Sequence, residues 1–376
     1  MTTSYDVIVI GGGVIGSSIA FHLAKSKRSV LLVEKDRIGS QASKAAAGML
    51  GAQAEIHEAG PFYEMANESR TLFPSIAEEL KEYSGIDIGL VNKGLYKTAQ
   101  MEEEEAELKR LIAFHNHEGQ QAEWLEAEDL LKREPNLSKN VRGAMYLPND
   151  GHVLPAELTA AFARSAAALG TEIKEFTEVT RFLQENGRIA GIETNHGVFY
   201  SENVVATSGV WTGKLLEQTG LDVPLYPVKG ECFSVCFPIA PITATIISNG
   251  CYIVPKQRSR LIVGATMLNG QYDTTVSFKG IAGLMDAAKA ILPSIESGIW
   301  EKAWAGLRPQ TPDGLPILGE HPEIKGLYIA AGHFRNGIVL SPITGKWVAE
   351  LIDGKRSKET LRLFRVDRFS KQPELR

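Results

Sequence analysis

Apolar positions along this chain change period several times, and each change marks a structural element. Tyr5 to Ile10 is a short apolar run that stops at Gly11, Gly12 and Gly13, the pattern of a strand buried on both faces. From Val14 to Lys25 the period becomes helical, with Ile15, Ile19 and Leu23 stacked on one face and Ala20 and Ala24 beside them. Ser29 to Val33 is strand-like again and is closed by Glu34. Strand, helix and strand together make one βαβ unit.

Further along, Ser40 to Gly51 is rich in small residues that let the backbone lie close to something flat: Ala45, Ala46, Ala47, Gly48, Met49 and Gly51. Helical spacing is expected over Glu64 to Tyr83, over Met101 to Phe114 and over Pro155 to Leu169. Glu102 to Glu105 reads as a solvated first helical turn that suits the helix dipole. Strands are expected at Glu172 to Glu175 and Asn203 to Ala206. From Pro224 to Thr266 alternation takes over, with Cys251 to Pro255 and Arg260 to Thr266 reading as a hairpin. A helix over Lys279 to Leu292 stops at Pro293. α/β texture returns from Trp304, with a strand at Leu327 to Ala331 and a helix from Pro342 to Ile352, N-capped by Ser341. The expected plan is an interleaved α/β protein. One domain takes residues 1–85, 147–222 and 303–376, and a mostly antiparallel α+β domain takes 86–146 and 223–302.

Composition narrows the classes. A chain of 376 residues with 44% hydrophobic and 23% charged residues can bury a large core and suits two domains. A net charge of -5 with no basic stripe argues against nucleic acid as a partner. Cys232, Cys236 and Cys251 are an odd, sparse set, which points to a reducing compartment and to packing rather than disulfides. No signal peptide or membrane-length apolar run is read, so a cytoplasmic protein is expected, and the scattered histidines suggest no metal site.

The chemistry concentrates in two places. Gly11, Gly13 and Gly16 form G-x-G-x-x-G between a strand and a helix. Gly11 permits the tight turn, Gly13 lets a pyrophosphate approach, and Gly16 lets the helix pack on the sheet. Glu34 ends the second strand, where it can accept from ribose hydroxyls and disfavours a 2′-phosphate. The motif alone does not separate NAD from FAD. The second place is C-terminal: Trp304 to Pro309, then Gly332 to Gly337, where backbone N–H groups near Gly337 and the N-terminus of the helix that follows would favour negative charge on a cofactor ring. Arg308, in an apolar stretch, is either a buried ion-pair partner or a carboxylate anchor. Arg335 poses the same choice, and Tyr252 either packs or offers a phenol to a pocket.

These segments resemble the D-amino-acid oxidase family of FAD flavoproteins, and within it the glycine oxidases of thiamine biosynthesis. Besides the glycine fingerprint with Glu34, the resemblance rests on Ala45 to Gly51, Gly209-Val210-Trp211, Pro227 to Glu231, Cys251 to Pro255, Trp304 to Pro309 and Gly332 to Gly337. It implies a Rossmann-like (GR2-type) FAD-binding domain interleaved with a substrate domain on a mostly antiparallel sheet. It implies noncovalent FAD touched by Val14, Ile15, Glu34, Lys35, Ala42 and Ser43, by Ala47, Gly48, Met49 and Val179, and by His333, Phe334, Arg335, Asn336, Gly337, Ile338 and Val339. It also implies a substrate carboxylate held by Arg308 and Tyr252, with Arg335 lining the site near Gly51.

The implied reaction is oxidative deamination of glycine, sarcosine, small D-amino acids or N-alkyl glycines by hydride transfer to flavin N5, with oxygen as acceptor. No residue is marked as an acid or base. The implied partner is a thiazole synthase, and the implied assembly a homotetramer. Glycine oxidases can carry a histidine two residues before the pocket tyrosine; here that position is Gly250, which puts fine substrate preference in question. Two other functions fit the same residues: a dehydrogenase of this fold with a non-oxygen acceptor, and a non-catalytic nucleotide-binding regulatory subunit.

Overall fold

The computed structural model describes residues 4–371. Its first layer is a six-stranded sheet in the order Ile317–Glu320, Leu327–Ala331, Val204–Ala206, Val7–Ile10, Val30–Val33, Glu172–Lys174. Every neighbouring pair is parallel except Ile317–Glu320 with Leu327–Ala331. Both faces are covered. Val7, Val9, Val30 and Leu32 pack into the helical layer, while Ile8, Ile10, Leu31 and Val33 pack toward a small antiparallel sheet, 179–200, through Phe182, Ile192 and Phe199. This two-sided burial is why the strands read as unbroken apolar runs. Helices Val14–Lys25, Pro155–Ala168 and Gly337–Ile352 form the centre of the helical layer.

The second sheet has nine strands, drawn from 95–147 and 226–310. Its long members are Tyr226–Cys236 and Ile299–Gln310, antiparallel to one another, with Val228 opposite Arg308 and Gly230 opposite Gly306. The Cys251–Lys256 and Arg260–Gly264 strands form the expected hairpin. Helix Phe278–Ile291 covers one face through Ile281, Leu284 and Ala288. Strand Ile299–Gln310 runs unbroken through residues 302 and 303, where a domain boundary was expected, and keeps Arg308 on the antiparallel sheet.

Two helices differ from expectation. Glu64 to Tyr83 is not one helix but two, Pro61–Thr71 and Phe73–Ser84, because Pro74 has no N–H to continue the ladder across Leu72. The last helix begins at Gly337 rather than Pro342, so Ser341 is not its N-cap. Pro342 lies inside it and leaves the Ile338 carbonyl without its usual donor; the Ser341 hydroxyl donates to that oxygen instead, at 2.8 Å. The correction moves the helix N-terminus to Gly337, next to the site. Among the described residues no helix is long and apolar enough to cross a membrane, and no cluster of metal-ligating side chains is found.

Candidate active site

A cavity of about 1020 Å³ begins at the carboxyl end of Val7–Ile10 and ends against the antiparallel sheet. It opens where the parallel sheet's connections diverge to either side of its first strand, the usual ligand crevice of such sheets.

The first end is built from backbone. Gly11 has φ +109°, and a Cβ there would lie 2.7 Å from the Thr207 carbonyl oxygen. A Cβ at Gly16 would overlap the Gly11 carbonyl oxygen, so helix and turn are in backbone contact. At Gly13 a Cβ would meet only Ser43 Oγ, leaving that side open to the cavity. Glu34 closes the turn: its Oε2 accepts from Gly12 N–H at 2.6 Å and its Oε1 from Asp36 N–H at 2.9 Å. Ser43 Oγ accepts from Val14 N–H at 2.9 Å, and Thr207 Oγ–H donates to the Ile10 and Gly11 carbonyls. Lys35 sits 3.9 Å over the Trp211 ring at the outer rim.

The middle is lined by the small-residue segment. Gly48, at φ +83°, lies where a Cβ would overlap Val153 O, and Trp304 Nε1–H donates to Ala45 O at 3.0 Å. The segment is thereby pinned between the loop before helix Pro155–Ala168 and strand Ile299–Gln310. Opposite it, the first turn of Gly337–Ile352 faces the cavity with no side-chain cap, so its N–H groups and dipole point at whatever is bound. His333 is buried there beside Thr344 Oγ1 at 3.2 Å, and burial lowers its pKa to about 3, so it is neutral.

The far end is built from side chains. Arg308 lies across the strand at Gly230, where a Cβ would overlap the guanidinium, and donates from Nη1 to the Thr266 carbonyl at 3.2 Å. Its charge faces a neutral partner. Tyr252 Oη lies 3.5 Å from Cys232 Sγ. Burial pushes the Tyr252 phenol well above its usual range, with the Arg308 charge pulling the other way, so it is a hydroxyl donor at neutral pH. Arg335 is different: it pairs with Glu55 at 2.7 Å, one turn after Gly51.

The profile of the family described as FAD dependent oxidoreductase (DAO) matches residues 6–351. The chain belongs to that family. This flavoprotein is 47% identical to glycine oxidase of Geobacillus kaustophilus over 371 residues, 98% of each chain. It superposes on the crystal structure of glycine oxidase from Geobacillus kaustophilus with a TM-score of 0.94 at 46% identity, covering 97% of this chain and 99% of that one. It is 32% identical to the bifunctional protein ThiO/ThiG of Synechocystis sp., matching 98% of this chain and 55% of that protein.

FAD is the flavoprotein's cofactor, and the cavity fits it: a glycine cradle at the start of helix Val14–Lys25, the N-terminus of helix Gly337–Ile352 without a side-chain cap, and a small-residue floor. Every residue expected to touch FAD lines the cavity except Gly16, which lies behind the turn and makes the approach of helix and strand possible. Gly51, Tyr252, Arg308 and Arg335, expected around the substrate, line it too. Sequence reading missed Thr207, Glu55 and Thr266. It placed Cys232 in plain packing, whereas its thiol reaches the cavity wall beside Tyr252. None of these four belongs to a motif; the antiparallel sheet brings in Cys232 and Thr266, the end of strand Val204–Ala206 brings in Thr207, and the short helix Ala52–Glu55 brings in Glu55.

Proposed function

We propose that the protein is an amino-acid oxidase whose preferred substrates are glycine and small amines built on it: sarcosine, N-alkyl glycines and small D-amino acids. The observation that carries this reading is Arg308, a half-buried guanidinium facing the cavity with only a carbonyl for company. A planar fork so placed takes a carboxylate bidentately. The net reaction is glycine plus oxygen and water to glyoxylate, ammonia and hydrogen peroxide.

Arg308 holds the carboxylate and Tyr252 donates to the same group from its hydroxyl. Cys232 and the Gly264 backbone hold Tyr252 in place, a Cβ at Gly264 being excluded by the Tyr252 Oη and Cys232 Sγ atoms. When bound, FAD supplies the two-electron acceptor for the amine carbon. Glu34 is committed to the glycine turn, Glu55 to Arg335, and His333 is neutral, so these groups position rather than exchange protons. Catalysis rests on holding the amine over the cofactor face and on the dipole of Gly337–Ile352. The flavin is held without a covalent bond.

The similarity to ThiO/ThiG supports a place beside thiazole synthesis in thiamine biosynthesis, with a thiazole synthase as partner. A cytoplasmic homotetramer completes the reading, and light scattering of the purified protein would test the assembly. The test is direct. Yellow protein mixed with glycine without oxygen should bleach, then recover at once in air with release of peroxide. Colourless protein, or yellow protein that glycine never bleaches, would sink the reading. Bleaching with slow recovery in air would assign a different electron acceptor.

A further inference from the structure

Two buried charges lie behind the site without touching it. Lys229 is 3% exposed and Glu231 is 0% exposed. Both flank Gly230, and alternation along the strand turns Gly230 toward Arg308 and these two the other way. Lys229 Nζ donates to Asp273 at 2.7 Å, which accounts for it as an ion pair. Glu231 has no such simple role. Its Oε1 accepts from Ser277 N–H at 2.6 Å, at the N-terminus of helix Phe278–Ile291, and Gly280 leaves it room.

The ladder beside Glu231 is interrupted. Arg260–Gly264 pairs with Tyr226–Cys236 as far as Cys232, and pairing resumes only with Leu268 opposite Lys229. In the gap, a side chain stands in for backbone. Glu231 N–H donates to Thr266 Oγ1 at 2.9 Å, and the Thr266 hydroxyl lies 3.3 Å from Glu231 Oε2, to which it donates. Thr266 N–H returns a bond to Glu231 O at 3.3 Å. Because the hydroxyl accepts the rung that a carbonyl would normally take, the Thr266 carbonyl is free to face Arg308 Nη1.

We infer that Thr266, locked by Glu231, is a positioning residue that aims the Arg308 guanidinium at the substrate carboxylate. This rests on the reading of Arg308 as the carboxylate anchor. An arginine has many rotamers, and a fork held at one nitrogen before substrate arrives loses less freedom on binding.

The test uses the FAD-loaded enzyme and four substitutions, two of them also combined. Thr266→Val keeps the shape and removes the hydroxyl; Thr266→Ser restores it. Thr266→Val should raise both the KM for glycine and the Kd of glycolate, an unreactive carboxylate, by about 5–10-fold, the scale of one misplaced hydrogen bond. Most of the effect should fall on KM and Kd rather than kcat, and Thr266→Ser should recover it. In an Arg308→Ala background, Thr266→Val should leave the glycolate Kd where it was. Should Thr266→Val not fold, Glu231→Gln carries the same expectation through the hydroxyl's acceptor. A lowered Tm with unchanged glycolate Kd, or an equal rise in the Arg308→Ala background, overturns the inference. If Arg308→Ala itself leaves glycine KM and glycolate Kd unmoved, it is the anchor reading that fails.

Discussion

The two ends of the cavity are made differently. At the nucleotide end the contacts are backbone: a glycine turn, a helix N-terminus and a carboxylate, Glu34, spent on holding the turn. At the substrate end they are side chains, Arg308, Tyr252 and Cys232, carried by strands far apart in the chain and aligned by sheet register. A backbone cradle recognises what every dinucleotide shares. A side-chain pocket recognises what one substrate class has. The first tolerates little change in any glycine; the second can be retuned one residue at a time.

The sharpest way to break this contrast is Gly16→Val. The added carbons would overlap the Gly11 carbonyl and Thr207 Oγ1, two backbone-bound groups with nowhere to move. Overpacking of this kind should cut FAD affinity on the order of 100-fold and leave the protein colourless after dialysis. Full FAD stoichiometry in a folded Gly16→Val protein would show that the cradle is looser than a backbone contact allows.

The same contrast explains what could be read without coordinates. The nucleotide end sits in one contiguous βαβ unit, so period, glycine spacing and Glu34 all announce it from residues 7 to 34. Arg308 could be singled out for its odd surroundings, but not decided between ion pair and anchor. Its neutral partner Thr266 reaches it only because a ladder is interrupted, and no periodicity encodes an interruption. The last helix was misread for a related reason. Pro342 is a strong start signal, yet Ser341 supplies the one bond that proline removes, and the helix runs through it. Short strands of the antiparallel sheet, such as Glu123–Glu126, alternate too briefly to stand out.

The next test acts at the other end. Arg308→Ala should leave FAD stoichiometry as it was and lower kcat/KM for glycine by on the order of 2–5 kcal/mol, most of it through KM, as expected when a buried carboxylate loses its partner. A fall in FAD content of similar size would mean that the two ends are not separable, since the same arginine would then be serving both.

The smallest effect is expected at Arg335, where the ends meet. The family resemblance puts Arg335 beside both cofactor and substrate, and it does line the cavity. Its charge, however, is already matched by Glu55 at 2.7 Å, and the arginine side chain is 40% exposed against 15% for the glutamate. Water screens such a pair, so it is worth about 0–1 kcal/mol, and neither partner has an uncompensated charge to offer a carboxylate. Arg335→Ala should therefore change kcat/KM for glycine by less than about fivefold. A double-mutant cycle with Glu55→Gln should give a coupling energy in that same range of about 0–1 kcal/mol. An Arg335→Ala loss as large as that of Arg308→Ala would break the distinction between a paired and an unpaired guanidinium, and would make the substrate end a two-arginine clamp in which Glu55 is displaced when the carboxylate arrives.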